Sequence, residues 1–121
     1  MFREVCRAKL HRLRVTEANL DYEGSLTLDE ALMEAADLVP YEKVQVANLG
    51  SGDRFETYVI PGKANSGVVC LNGAAAHKGK PGDQVIVIAY GYVPEEEVRS
   101  VHPKWVFVDE LNHLRKEPVL S

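Results

Sequence analysis

The chain has 121 residues, 45% of them hydrophobic and 26% charged, and a formal net charge of -4. That length fits one ordinary domain and leaves no room for a second or for a separate cofactor-binding module. The acidic balance and the lack of a basic run argue against a general nucleic-acid binder, and no apolar stretch nears the roughly 18 residues that span a bilayer. Met1-Phe2-Arg3-Glu4 lacks the apolar core of a signal peptide, so the expectation is a cytoplasmic protein whose two cysteines, Cys6 and Cys70, stay reduced.

In chain order, Arg3 to Arg7 and Lys9 to Val15 read as strands. Asp29 to Leu38 is the best helix: Asp29 can cap it, Glu30 sits in the first turn where the helix dipole favours a carboxylate, and Leu32, Ala35 and Ala36 share a face. Pro40 is expected to end it. Val44 to Asn48 and Arg54 to Ile60 flank Leu49-Gly50-Ser51-Gly52-Asp53, whose glycines predict a hairpin loop. Gly67 to Leu71 is a further short strand. Lys80-Pro81-Gly82-Asp83 is a turn set before Gln84 to Tyr90, an almost unbroken apolar run expected to be covered on both faces. Pro94 to Val98 predicts a short helix opened by proline and acids, and Trp105 to Val108 a last strand before a frayed tail over Lys116 to Ser121. Six or seven short strands with two short helices predict a small closed or nearly closed β-barrel, because closure removes exposed edges.

The usual chemical signatures are missing. Gly50-Ser51-Gly52 lacks the third glycine and the following helix of a dinucleotide fingerprint, and Gly62-Lys63 runs into Ala64 without the upstream glycine of a Walker loop. His11, His77, His102 and His113 lack the short paired spacings of metal ligands, so no metal is expected. Ser25 does not sit in a nucleophile elbow. Two segments remain, Tyr22-Glu23-Gly24-Ser25-Leu26-Thr27 and Asn72-Gly73-Ala74-Ala75-Ala76-His77. Each alone reads as a turn, although the small residues of the second would let backbone amides approach a ligand.

Together with Lys9-Leu10-His11-Arg12 and Arg54-Phe55-Glu56-Thr57-Tyr58, in this order and at these offsets, the two segments resemble the pyruvoyl-dependent L-aspartate alpha-decarboxylases, from Met1 to about Val108. The resemblance implies a mainly β fold, a small double-psi β-barrel with two or three short helices, assembled as a homotetramer with sites at subunit interfaces. It implies one domain over residues 1–121 that cuts itself between Gly24 and Ser25, giving a 1–24 β chain and a 25–121 α chain whose Ser25 becomes a covalent pyruvoyl group. The implied reaction converts L-aspartate to β-alanine and carbon dioxide, feeding pantothenate and coenzyme A synthesis, with no nucleic-acid or membrane partner.

The residue types suit those implied roles. Ser25 Oγ attacks the Gly24 carbonyl through an oxyanion that needs a donor, while Gly24 clears the approach and can hold a strained backbone; Thr57 assists. The pyruvoyl carbonyl takes the aspartate amine as a Schiff base and serves as an electron sink, and Tyr58 returns the proton, since a phenol is protonated at neutral pH. Strand alternation puts Thr57 and Tyr58 on opposite faces, so they share a site only at a twist, a bulge or a subunit boundary. Arg54 suits a bidentate carboxylate clamp and Lys9 a point charge, with His11 on the same strand face as Lys9. Thr57, Asn72 and the amides of Gly73, Ala74 and Ala75 fit substrate recognition, and Tyr22 packs near the cleavage loop. Without the resemblance the residues leave open a small-barrel binding module in which Gly24-Ser25 is only a turn. With it, a pyruvoyl enzyme acting on another amino acid remains the alternative.

Overall fold

Short apolar runs divided by turns produce a mainly β fold in the structure, a computed structural model that describes residues 1–115. The fraying expected over residues 116–121 lies outside the described residues. The elements are β1 (Phe2–Arg14), β2 (Glu17–Asn19), β3 (Ser25–Asp29), α1 (Glu30–Ala35), β4 (Lys43–Asn48), β5 (Arg54–Gly62), β6 (Val69–Asn72), a 3-10 helix (Gly73–Lys78), β7 (Gln84–Pro94), a second 3-10 helix (Glu95–Ser100), β8 (Lys104–Val108) and β9 (Leu114–Arg115). They form one ladder in the order β2-β6-β3-β5-β4-β7-β1-β8-β9, which is not closed among the described residues. The strand content, the three short helices and the mixed pairing are those of a small double-psi β-barrel type of fold. Pairs β3–β5, β1–β8 and β2–β6 are parallel, whereas β4–β5, β4–β7, β1–β7, β3–β6 and β8–β9 are antiparallel. No helix among the described residues is long and apolar enough to cross a membrane.

Period-two alternation fills the core. Ala8, Leu10 and Leu13 of β1 meet Leu26 and Leu28 of β3, Val44 and Val46 of β4, Val59 of β5, Val85, Val87 and Ala89 of β7, and Leu32 and Met33 of α1. Each fully buried Leu or Val contributes about 1.5–3 kcal/mol of transfer free energy. The front of the chain is one strand rather than two, because β7 pairs with it from Phe2 to Arg14 across two bulges, one between Cys6 and Ala8 and one between Leu10 and Leu13, where Arg12 has φ 55°. The first bulge re-aims Arg7, whose guanidinium donates to the Ala36 and Asp37 carbonyls (3.3 and 2.9 Å) and pairs with Glu42.

Two expectations are corrected. The helix ends at Ala35, well before Pro40, because Asp37 adopts φ 56° and Arg7 takes up the freed carbonyls. In β7 only one face is covered: Val85, Val87 and Ala89 are buried, Ile86 and Ile88 are half-buried and Tyr90 is exposed. The capping role of Asp29 does appear. Its carboxylate, itself buried, accepts from Ala31 N at 2.8 Å and also from Asn65 N and Gly67 N, tying α1 to the loop before β6.

Candidate active site

Ser25 opens β3 and Asn72 closes β6, and the two are register partners at the end of an antiparallel pair. Ser25 is 1% exposed although Asp21 to Gly24 just before it lie at the surface. Its Oγ donates to the Glu23 carbonyl at 3.0 Å and accepts from Asn72 Nδ2 at 3.0 Å. The same Asn72 Nδ2 donates to Thr27 Oγ1 at 2.8 Å, and Cys70 Sγ donates to Asn72 Oδ1 at 3.2 Å. Thr27 and Cys70 are themselves register partners, so Ser25 and Thr27 on β3 face Asn72 and Cys70 on β6 as a polar square in which Thr27 alone is half-buried and the others buried. Burial pushes the Cys70 thiol up from its ordinary pKa, with Glu17 on the neighbouring β2 adding to the shift, so the group remains an S–H donor.

Directly after Asn72 the chain turns at Gly73, which has φ +63°, into the first 3-10 helix. A Cβ on Gly73 would lie within 2.8 Å of Gly24 N, Gly24 Cα and the Tyr22 carbonyl oxygen, so this turn is packed against the backbone of the Tyr22–Gly24 segment. The Tyr22 ring itself is exposed; it is the main chain of this residue that packs there. The strain expected at Gly24 is absent: its φ is not left-handed, and a Cβ there would meet nothing within 4 Å. The position that demands glycine is Gly73, because only it combines a positive φ with contact to this turn.

β3 and β5 run parallel with Leu26 opposite Val59, which brings Gly24 alongside Thr57. Gly24, Phe55, Glu56, Thr57, Tyr58, Ala74, Ala75 and Lys78 line one cleft of about 410 Å3. Thr57 and Tyr58 thus reach one cleft from adjacent positions, and Tyr58 rests against Tyr41 with ring centroids 5.9 Å apart. The structure therefore gathers Gly24, Ser25, Thr57, Tyr58, Asn72, Gly73, Ala74 and Ala75 within one protomer.

It does not gather Lys9, His11 and Arg54 there. Register links Trp105, Lys9, Ile88, Gln45 and Glu56 into one outward-facing row across β8, β1, β7, β4 and β5. Lys9 is thus three strands from β5, roughly 14 Å at about 4.8 Å per strand, and its Nζ lies 5.1 Å from the Trp105 ring centroid on the far side. His11 sits edge-on to Phe107 at 5.7 Å, with a buried Nδ1 that has no partner among the described residues. Burial first, then the charges of Lys9 and Arg12, lower its pKa below the usual 6.5. Arg54 stands four residues before Tyr58, roughly 13 Å along an extended strand, and its guanidinium donates to Gln45 Oε1 at 2.8 Å. Among the described residues the cation that does line the cleft is Lys78, 3.9 Å from Asp53.

Thr27, Cys70 and Lys78 are contributors that reading the chain missed. Thr27 and Cys70 stand two residues from Ser25 and Asn72, the spacing that shares a strand face; the signal was present once β3 is recognised as a strand.

Ser25, buried and tied to a carboxamide, directly follows Gly24 of the cleft lining on a small double-psi β-barrel type of fold. Residues 1–115 match the sequence profile of a family described as aspartate decarboxylase. The chain is 60% identical to an aspartate 1-decarboxylase of Salinibacter ruber over 95% of its own length and 79% of that protein. It is 56% identical to one of Acetivibrio thermocellus and 57% identical to one of Bacillus cereus, each over 94% of this chain and 90% of the relative. The chain belongs to the aspartate decarboxylase family. That membership sets aside the binding-module alternative.

Proposed function

We propose that residues 1–121 are a precursor that cleaves itself between Gly24 and Ser25, and that the matured protein decarboxylates L-aspartate to β-alanine and carbon dioxide. The observation that carries the reading is the buried Ser25 hydroxyl, held between Asn72 Nδ2 and the Glu23 carbonyl next to Gly24. In the first step the Ser25 Oγ to Gly24 carbonyl-carbon bond forms, the Gly24–Ser25 C–N bond breaks, and the hydroxyl proton ends on the freed amine. Asn72 Nδ2 favours that attack by donating to Oγ as it gives up its proton. Loss of the Ser25 Cα proton with cleavage of Cβ–Oγ then releases residues 1–24 as a carboxylate. Water replaces the nitrogen, ammonia leaves, and residues 25–121 begin with a pyruvoyl group.

The surroundings suit such a group. Asn72 presents a polar atom to position 25 and is held in turn by Thr27, and the Gly73 turn lies against Gly24, the upstream neighbour of Ser25, with no side chain between. Bound in this place, a pyruvoyl group supplies the electron sink that decarboxylation of an amino acid needs. The chain's own residues do the remainder. Tyr58 delivers a proton from the cleft wall, and the main-chain amides around Ala74 and Ala75 orient a carboxylate.

A neighbouring copy supplies Lys9, His11 and Arg54 in this reading, within a homotetramer whose sites lie between subunits. The outward sheet face supports it: Ile86, Ile88, Tyr90, Trp105 and Phe107 leave apolar surface on the same face as Lys9 and His11, and a second copy of the chain would cover it. Arg54 and Lys9 then meet the two carboxylates of aspartate. The β-alanine formed would feed pantothenate and coenzyme A synthesis.

Mass spectrometry tests the cleavage: fragments 1–24 and 25–121 are expected, the second lacking a free amino terminus. An intact chain after prolonged warming overturns it. Carbon dioxide release from aspartate but not from glutamate is expected of the matured protein, and equal rates would remove the assigned fit of Arg54 and Lys9.

A further inference from the structure

We propose that Cys70 is a positioning residue for the Gly24–Ser25 cleavage, its thiol fixing the sense of the Asn72 carboxamide so that Nδ2, and not Oδ1, faces Ser25. The inference rests on the self-cleavage reading above and adds to it a residue that touches neither the scissile peptide nor the cleft.

The geometry leads there in three steps. Asn72 is buried at 3% exposure, and its two ends differ in chemistry: Nδ2 only donates, Oδ1 only accepts. At the Nδ2 end stand two hydroxyls, Ser25 Oγ at 3.0 Å and Thr27 Oγ1 at 2.8 Å. A hydroxyl can donate or accept, so this end holds the sense of the amide only as firmly as the Glu23 carbonyl holds the Ser25 hydrogen. At the other end Cys70 Sγ lies 3.2 Å from Oδ1 and is the partner of that oxygen among the described residues. A thiol that keeps its hydrogen makes a donor, and Cys70 is a buried thiol whose pKa is pushed up by that burial. Thiol sulfur accepts only weakly, so the Cys70 end favours Oδ1 toward it, and the Glu23 carbonyl, by taking the Ser25 hydrogen, favours the same sense at the other end.

The consequence falls on the nucleophile. With Nδ2 toward it, Ser25 Oγ accepts a hydrogen bond and its own hydrogen goes to the Glu23 carbonyl. That is the polarity that stabilises the oxygen as its proton leaves. With the amide reversed, Oγ would have to donate to Oδ1, and the negative charge developing during attack would meet an acceptor. Cys70 thus acts on the attack through Asn72.

The test follows cleavage from synthesis, by pulse-labelled cell-free translation of the full chain with mass or gel readout at successive times. Cys70→Ala and Cys70→Val both lack a donor, one smaller and one larger than the thiol. Cys70→Ser restores a donor. Both donorless variants should cleave about five- to tenfold more slowly than wild type, the rate equivalent of one ordinary hydrogen bond, and Cys70→Ser should cleave within about twofold of it. A purely structural role predicts the reverse order. Serine puts a more polar group into a buried position and should then be the slowest, whereas valine should be benign. Thermal unfolding of the same variants on a Ser25→Ala background records stability separately from cleavage. Wild-type cleavage with Cys70→Ala or Cys70→Val cleaving equally fast, or with Cys70→Ser as slow as they are, overturns the role of Cys70 alone. A wild-type chain that never cleaves overturns this role and the processing reading together.

Discussion

The backbones of Gly73 and Gly24 touch: a Cβ on Gly73 would lie 2.7 Å from Gly24 N. The requirement for glycine therefore sits in the turn that backs the Gly24–Ser25 peptide, not at Gly24 itself. Gly73→Ala combines this clash with a left-handed φ and should cost about 2 kcal/mol or more of stability, whereas Gly24→Ala, in open space, should cost about 0.5 kcal/mol or less. Urea unfolding of both variants on an uncleavable Ser25→Ala background checks the contrast. Equal costs would mean that the Gly73 turn is free to move.

Ser25 and Tyr58 are proposed for separate tasks although Gly24, next to Ser25, and Tyr58 line the same cleft. Ser25→Ala removes the nucleophile and should leave the chain intact and inactive. Tyr58→Phe keeps the ring against Tyr41 and removes only the proton donor, so cleavage should proceed at close to the wild-type rate while carbon dioxide release falls by about 100-fold, the usual scale for a lost general acid. Slow cleavage with normal turnover of the matured fraction would take the proton-transfer role away from Tyr58.

Much of the site was legible because its residues lie in runs that the chain keeps together. Val44 to Asn48, Arg54 to Ile60 and the loop between them appear as a hairpin because local alternation and glycine chemistry decide that unit. β3 was not legible. Ser-Leu-Thr-Leu-Asp is five residues long, and it is strand because β5 and β6 pair with it from opposite sides, contacts that lie more than 25 residues away in sequence. Missing β3 hid the polar square, since Thr27 and Cys70 acquire partners only through that pairing. The end of α1 was misread for a similar reason: Arg7, almost 30 residues upstream, closes it. The outward row from Trp105 to Glu56 shows the other limit. Lys9 and Arg54 could be picked out by type, but the faces they share come from register across five strands.

His11 carries a pH signature. Its pKa lies below the usual 6.5, through burial and then through Lys9 and Arg12, while Arg14, Asp109, Glu110 and Arg115 line the same cleft. The unfolded chain therefore takes up a proton at a higher pH than the folded one. Stability is unaffected above about 6.5, falls as pH drops from there toward the folded value, and levels off below it. Asp83 and Asp109, held below 3.8 by hydrogen bonds from Asn48 and from the His113 backbone respectively, act in a separate, more acid range. Urea midpoints compared at about pH 7.5 and about pH 5.5 should differ less in His11→Gln than in wild type. An unchanged difference would show that His11 titrates normally in the folded chain.

The separation of Lys9 from the Ser25 cleft makes a prediction about mixtures. Within one protomer Lys9 faces outward beside Trp105, three strands from the wall that holds Tyr58. If a neighbouring copy supplies it, a site needs Ser25 from one chain and Lys9 from another. Lys9→Ala and Ser25→Ala should each be nearly inactive alone. Co-expressed, they should regain activity, because some interfaces will pair an intact Ser25 with an intact Lys9. The measurement is carbon dioxide release by co-assembled protein purified through two different tags, against the same variants expressed apart and mixed after folding. Activity no greater than the sum of the separate variants would place Lys9 outside the shared site and return the binding of the substrate carboxylates to cations of a single chain, of which Lys78 is the one that lines the cleft among the described residues.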